Sequence, residues 1–232
     1  MLKVLRNCSR PLDFLNRYVR SAGSYPATFR IRTPTRPVSI TAHVPDDLLT
    51  INEIFFRGDY GDDRRAKVVV DFGSNIGISA LYFLSRNADA FVYCHEPLAQ
   101  NVARLKAQLA DYAERYEIRE VAVAEQDGPV EFGWEPTGRY GGIGHSELTT
   151  ITVEGRDSNA VLAEIVERHG RIDLLKIDIE GLEYRLTARI PESLARQIGV
   201  IAVEQRFPDN PLAATHAMSY ARPITTLRRH SD

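Results

Sequence analysis

Three acids stand immediately after apolar runs: Asp71 after Val68-Val-Val70, Glu96 after Val92-Tyr-Cys-His95, and Asp178 after Leu174-Leu-Lys-Ile177. Such runs read as buried strands, so each acid is placed at a strand tip. A carboxylate there is costly unless it is solvated, paired or working. The turn Gly73-Ser-Asn-Ile-Gly77 follows Asp71 and feeds the apolar run Ile78 to Leu84. Strand, tight turn and helix open a nucleotide-binding βα unit. The pattern is Asp-x-Gly-x-Asn-x-Gly, and Asn75 tolerates positive φ at the middle position. Asp71 at this tip would repel a pyrophosphate and hold an ammonium.

Glu96 follows the turn by about the 20-residue interval at which an acid meets ribose hydroxyls. Pro97 then suits the first turn of the next helix. The plainer alternative makes Glu96 a cap for that helix, and the neighbouring His95 is read as structural. Asp178, Glu180 and Glu183 cluster after the third run, with Gly181 turning the chain into a helix. Asp178 would face the same crevice as Asp71, because ligands bind at the carboxyl ends of an open parallel sheet. Glu183 is expected on a solvated helix surface, and Lys176 in an ion pair with one acid. His145, in the glycine-rich Tyr140 to Ser146 loop, could fold over a bound acceptor.

These tips require a scaffold. Strands are expected at 67–71, 90–95, 117–123, 172–178 and 198–204, alternating with helices at 76–86, 97–113, 157–168 and 182–195. Alternation of this kind predicts an α/β fold: a mostly parallel sheet with helices on both faces. Val130–Trp134 and Leu148–Val153 flank the glycine-rich loop as a β-hairpin insertion. Before the first core strand, Leu12–Val19 and Leu48–Phe56 read as helices, the second ended by Gly58, and Val38–Val44 as a strand. Residues 1–66 are expected to form an N-terminal cap on the acceptor side, and 67–232 the catalytic domain, in one structural unit. In the short tail, Leu212–Tyr220 reads as a helix and Ile224–Leu227 as an edge strand.

Composition narrows the classes. The net charge of −2 gives no general attraction to nucleic acid or anionic membrane, and Arg64-Arg65 and Arg228-Arg229 are too short to track a phosphate backbone. Two cysteines, Cys8 and Cys94, make neither a disulfide framework nor a zinc cage. No apolar run approaches a membrane span, and the first residues lack a signal core. A cytoplasmic protein without a nucleic-acid partner is the expectation.

The three segments together resemble FkbM-type methyltransferases, a family of class I S-adenosylmethionine-dependent enzymes. The resemblance rests on Val70-Asp-Phe-Gly-Ser-Asn-Ile-Gly77, on His95-Glu-Pro97, and on Asp173-Leu-Leu-Lys-Ile-Asp-Ile-Glu-Gly181 with Glu183; Val200-Ile-Ala-Val-Glu204 resembles the family's next strand and acid. It covers roughly residues 50 to 207 and implies a Rossmann-like seven-stranded sheet and O-methylation of sugar, glycolipid or natural-product hydroxyls. The donor set it implies is Asp71 for the ammonium, Gly73, Ser74, Asn75 and Gly77 for the carboxylate, Glu96 for the ribose, and Ala122 and Val123 beside the adenine, with Asp178 at the same crevice. Glu125 or Asp127 would meet the adenine amine. Asp178, Glu180 and His145 are the candidate bases; Trp134 and Tyr140 could stack on an acceptor ring or pack the hairpin, Tyr60 could cover the donor or pack under the N-terminal segment, and Glu53 resembles a family acid in the same region. No metal is expected, the alternative being a hard cation held by Asp178 and Glu204. The family sheet usually ends in an antiparallel hairpin, for which Pro208 to Asp232 is short, so an atypical C-terminal end is expected. Two other readings stay open: an NAD(P)-dependent oxidoreductase, and a methyltransferase-like binding protein without catalysis.

Overall fold

The computed structural model describes residues 2–138, 140–145 and 147–230. The N-terminal segment holds helices α1 (Leu2–Asn7) and α2 (Pro11–Arg20), strands β1 (Ala27–Ile31) and β2 (Val38–Ala42), helix α3 (Asp47–Ile51) and a π-helical turn, Asn52–Arg57, closed by Gly58 in the left-handed region. The alternating core follows: β3 (Val68–Phe72), α4 (Ile78–Arg86), β4 (Phe91–His95), α5 (Ala99–Gln108), a 3-10 segment (Ala110–Arg115) and β5 (Tyr116–Arg119). Then come β6 (Ala122–Ala124), β7 (Gly128–Trp134), β8 (Gly141–Ile143), β9 (Thr149–Asp157) and α6 (Ser158–His169). The chain ends through β10 (Ile172–Ile177), α7 (Glu183–Ala188), α8 (Glu192–Ala195), β11 (Ile198–Val203), β12 (His216–Ala221) and β13 (Ile224–Arg229).

The main sheet has seven strands in the order β12-β13-β11-β10-β3-β4-β5. Strands β11, β10, β3, β4 and β5 run parallel, and β13 and β12 are antiparallel. Val69 and Leu174 point to one face and Val70, Phe72 and Leu175 to the other, the period of two that a strand imposes. Helix α6 covers the second face through Val161, Leu162 and Ile165. The first face packs against α4 and the N-terminal segment, whose Phe14, Phe29, Ile40, Leu48 and Phe56 share one cluster with Leu81 and Leu84.

Four sequence expectations need correction. Residues 117–123 form two strands, β5 in the main sheet and β6 in a second sheet of order β6-β9-β7-β8. The insertion is therefore a hairpin, β7 against β9, enlarged by β8 and β6. The expected helix 182–195 is broken, because Pro191 cannot continue α7 and starts α8 instead. Residues 212–220 are not a helix: the tail is short, yet β12 and β13 complete the antiparallel hairpin beside β11.

Candidate active site

Ladder hydrogen bonds run past the strand ends and set the acids side by side. Asp178 N–H donates to Phe72 O at 3.2 Å, and Glu204 N–H to Ile177 O at 3.1 Å. The tips of β3, β10 and β11 therefore form one rim. Gly73 makes this crossing possible: its φ is +77°, and a Cβ there would lie 1.7 Å from Asp178 O.

Beneath the rim lies a buried ion triad. Lys176 stands opposite Asp71 in the β10–β3 register, both fully buried, with Nζ 3.0 Å from Asp71 Oδ1 and 3.3 Å from Asp178 Oδ2. It also donates to Gly73 O at 2.8 Å. Burial alone would lower the lysine, but Asp71 and Asp178 override it and hold its pKa above the ordinary value. Lys176 thus serves two acids rather than one. Asp71 also accepts from Ser79 Oγ at 2.6 Å. It lies under the cavity floor, not in its lining.

The cavity itself has a volume of about 370 Å³, within the range of small-molecule sites. One end is the turn after β3. Its amides are turned inward: Gly73 and Ser74 donate to His95 O at 3.1 and 3.0 Å, Asn75 to Glu96 Oε2 at 3.0 Å, and Gly77 to Ser74 O at 2.9 Å. Asn75 has φ +46°, as its side chain permits. Glu96 is buried; its Oε1 accepts from Leu98 N–H at 3.0 Å and from Asn101 Nδ2 at 3.2 Å. Burial pushes Glu96 up to about 7, against the lowering effect of these donors and Asn75. Asn101 Nδ2 also donates to Gly138 O at 2.7 Å, so the insertion lies over this end. Ala122 and Val123 supply an apolar wall. His95 is buried against Phe72, and burial and Arg119 push it down to about 3, so it stays neutral.

The other end is acidic. The buried Tyr60 hydroxyl is 3.4 Å from Asp178 Oδ2 and 3.3 Å from Glu204 Oε2, and donates to one or the other. Burial and the two carboxylates push Tyr60 well above the ordinary phenol value. Glu204 is exposed at the rim, yet desolvation beside the cavity and then Asp178 raise it to about 7, with Lys176 opposing. Glu53 and Glu180 also line this end, and Glu180 sits at φ +57°. The π-helical turn brings Glu53 and Ile54 to the wall; such local over-coiling is frequent at functional sites.

His145 is outside the cavity lining. Its Nε2 is 2.9 Å from Glu180 O and its Nδ1 2.8 Å from Glu147 Oε1. Both neighbours are acceptors, and they raise its pKa, Glu147 most. It pins the insertion to the turn after β10; Ser146 lies outside the described residues. Glu183 is buried, accepting from Ile179 and Gly181 N–H groups at 3.1 and 2.8 Å; it organises that turn and is not a solvated surface acid. Trp134 packs in a satellite cluster with Leu98 and Phe132, whereas Tyr140 lines the cavity. Glu125 pairs with Arg185 and Asp127 with Arg156 at 3.1 Å, so neither reaches the cavity. Sequence reasoning missed Asn101, whose signal was its place in the first turn of the helix after Glu96. It also gave Tyr60 no bond to the acids. Among the described residues, no group of three or more His, Cys, Asp or Glu side chains has the arrangement of a metal site.

A parallel sheet with this strand order and an antiparallel C-terminal hairpin, carrying its cavity at the carboxyl strand ends, defines a Rossmann-like methyltransferase fold. The family model described as the methyltransferase FkbM domain matches residues 71–218. The chain belongs to the FkbM methyltransferase family. Among curated proteins it is 38% identical over 69 residues to the AMB antimetabolite synthetase AmbE of Pseudomonas aeruginosa, a match over 30% of this chain and only 3% of that protein's length. Among solved structures it is similar to a methyltransferase from Geobacter sulfurreducens (13% identity, TM-score 0.42, 79% of each chain). A structure from Staphylococcus aureus, provisionally assigned as a caffeoyl-CoA O-methyltransferase, gives 11% identity and a TM-score of 0.48 over 99% of this chain and 96% of that one. An rRNA methylase from Streptococcus thermophilus gives 10% and 0.41 over 72% and 88%. Likeness at this level concerns the fold alone.

Proposed function

We propose that this chain is an S-adenosylmethionine-dependent O-methyltransferase acting on a hydroxyl of a sugar, glycolipid or natural-product-like acceptor. The observation that carries the reading is the opposition of Glu96 to the Tyr60, Asp178 and Glu204 group across one cavity. The donor fits the Glu96 end. A buried carboxylate poised near neutrality suits vicinal hydroxyls, and Ala122 and Val123 suit an adenine face. The Gly73, Ser74, Asn75 and Gly77 turn would wrap the amino-acid part, with Asp71 setting the charge below it. When bound, the donor supplies an already activated methyl on sulfonium.

The chain's own work is then to position the acceptor, exclude water and take a proton. Glu204 at about 7 is matched to that task near neutral pH. Asp178 shares its Tyr60 partner and would orient the acceptor hydroxyl, with Glu180 beside it. His145, held between two acceptors, is read as a latch for the insertion. Lys176 already supplies a cation between Asp71 and Asp178, which disfavours a divalent ion at Asp178 and Glu204. Residues 1–66 are read as the acceptor-side cap on a 67–232 catalytic domain. Two buried free cysteines suit a reducing, cytoplasmic setting.

The test is methyl transfer from labelled donor to a panel of sugar and phenolic acceptors, followed by mass spectrometry. A methylated hydroxyl with equal yield in EDTA is expected. Abolition by EDTA would move the mechanism to the metal alternative. Saturable NADH binding with none of S-adenosylhomocysteine would overturn the reading altogether.

A further inference from the structure

A second cavity, of about 630 Å³, lies on the far side of the segment that walls the methyl-transfer site. Glu53, Ile54, Asp59 and Tyr60 face the first cavity, whereas Phe55, Arg57, Gly58 and Gly61 face the second. The second is lined by six cationic side chains, Lys3, Arg6, Arg32, Arg57, Arg64 and Arg86, against one carboxylate, Asp62. Asp59 and Glu53 both reach Arg57. Crediting those two as well still leaves three positive charges, in a chain whose net charge is −2. Asp62 is already divided between Arg64 at 3.1 Å and Arg86 at 3.2 Å. Among the described residues, Lys3 donates to Arg57 O at 3.4 Å and pairs with no carboxylate. Among the described residues, Arg6 and Arg32 pair with no carboxylate.

Like charges gathered from α1, the end of β1, the π-helical turn and the end of α4 repel one another unless an anion joins them. Guanidinium forks match phosphate oxygens two at a time. Arg86 is held in place for this, its side chain only 13% exposed and stacked 4.1 Å from the Tyr82 ring centroid. The cations converge on one bounded hollow; a nucleic-acid track needs an extended basic stripe. We propose that this groove is a second binding site, for the phosphate or diphosphate group of a small ligand. A free ligand and a lipid headgroup both offer that group, and Leu2 and Leu5, both exposed, stand on the same short helix as Lys3 and Arg6.

The site is independent of the donor reading and is tested separately from it. Calorimetry with inorganic pyrophosphate should show saturable binding, weakened at least tenfold in the Arg6→Ala/Arg32→Ala double variant. Both residues are exposed, so the variant should keep the wild-type melting temperature and its affinity for S-adenosylhomocysteine. Co-sedimentation with phosphatidylcholine vesicles containing phosphatidic acid, lost in the same variant and absent without phosphatidic acid, would place the phosphate on a lipid. Absence of both kinds of binding, or binding unchanged in the double variant, overturns the proposal. So does a single-stranded RNA oligomer that binds more tightly than pyrophosphate and is lost in the variant.

Discussion

The Glu96 end of the cavity takes its polar groups from two consecutive strand-to-helix turns, Gly73–Gly77 and Glu96–Asn101. The acidic end instead gathers Tyr60, Asp178 and Glu204, with Tyr60 118 and 144 residues away from its two partners. At the first end one carboxylate is satisfied by backbone and amide donors. At the second, carboxylates face one another across a phenol, and a buried lysine offsets two acids. The polar groups of the first end are close in sequence, and the insertion covers them through Gly138. The second exists only when the N-terminal segment docks on the sheet. The polar groups of one end are therefore set by short spacings, while those of the other depend on the whole fold.

The largest effect should come from Lys176. Lys176→Met leaves Asp71 buried without a counter-charge, and breaking such a pair costs about 3–5 kcal/mol. Urea denaturation should show the loss, with the acidic end collapsing before the Glu96 end. An unchanged midpoint would mean that the two ends do not depend on the triad.

The next effect distinguishes the ends by pH. Glu96 is raised from 4.5 to about 7 in the folded protein. Its contribution to stability is therefore fully present below about 4.5 and is lost as pH rises through about 7. Between pH 5 and 8 the unliganded wild type should lose on the order of 3 kcal/mol relative to Glu96→Gln. Thermal melts of both proteins across that range check the slope; parallel curves would show that burial does not strain this carboxylate.

The smallest effect concerns the latch between the insertion and the acidic end. His145→Ala removes one bond to Glu180 O and should cost about 1 kcal/mol or less. Hydrogen exchange should quicken at Gly141–Ile143 and stay unchanged in β10. Quickening in β10 would make the latch part of the core.

The two ends also differ in how far they could be read from sequence. Asp71, Glu96 and Asp178 follow runs whose branching announces strands, and parallel topology brings Glu96 and Asp178 to one cavity with Asp71 beneath its floor. Tyr60 gave no such signal, because its partners are set by packing of the first 66 residues. Lys176 reads as the partner of one acid; only register shows that it stands opposite Asp71 and so serves two. The C-terminal hairpin was hidden for a different reason. Only His216 of β12 is buried, so this edge strand carries no apolar alternation. Pro191 divides the 182–195 segment because its ring cannot continue α7. The family resemblance agrees with the family match over residues 71–218.

The central claim is that one cavity separates donor recognition at Glu96 from proton handling at Tyr60, Asp178 and Glu204. The most direct test is calorimetric titration of S-adenosylhomocysteine into wild type, Glu96→Gln and Tyr60→Phe, paired with turnover of the same three proteins. The account predicts that Glu96→Gln loses at least tenfold in affinity, whereas Tyr60→Phe binds as wild type and loses turnover. Undiminished binding in Glu96→Gln, or lost binding in Tyr60→Phe, would contradict it.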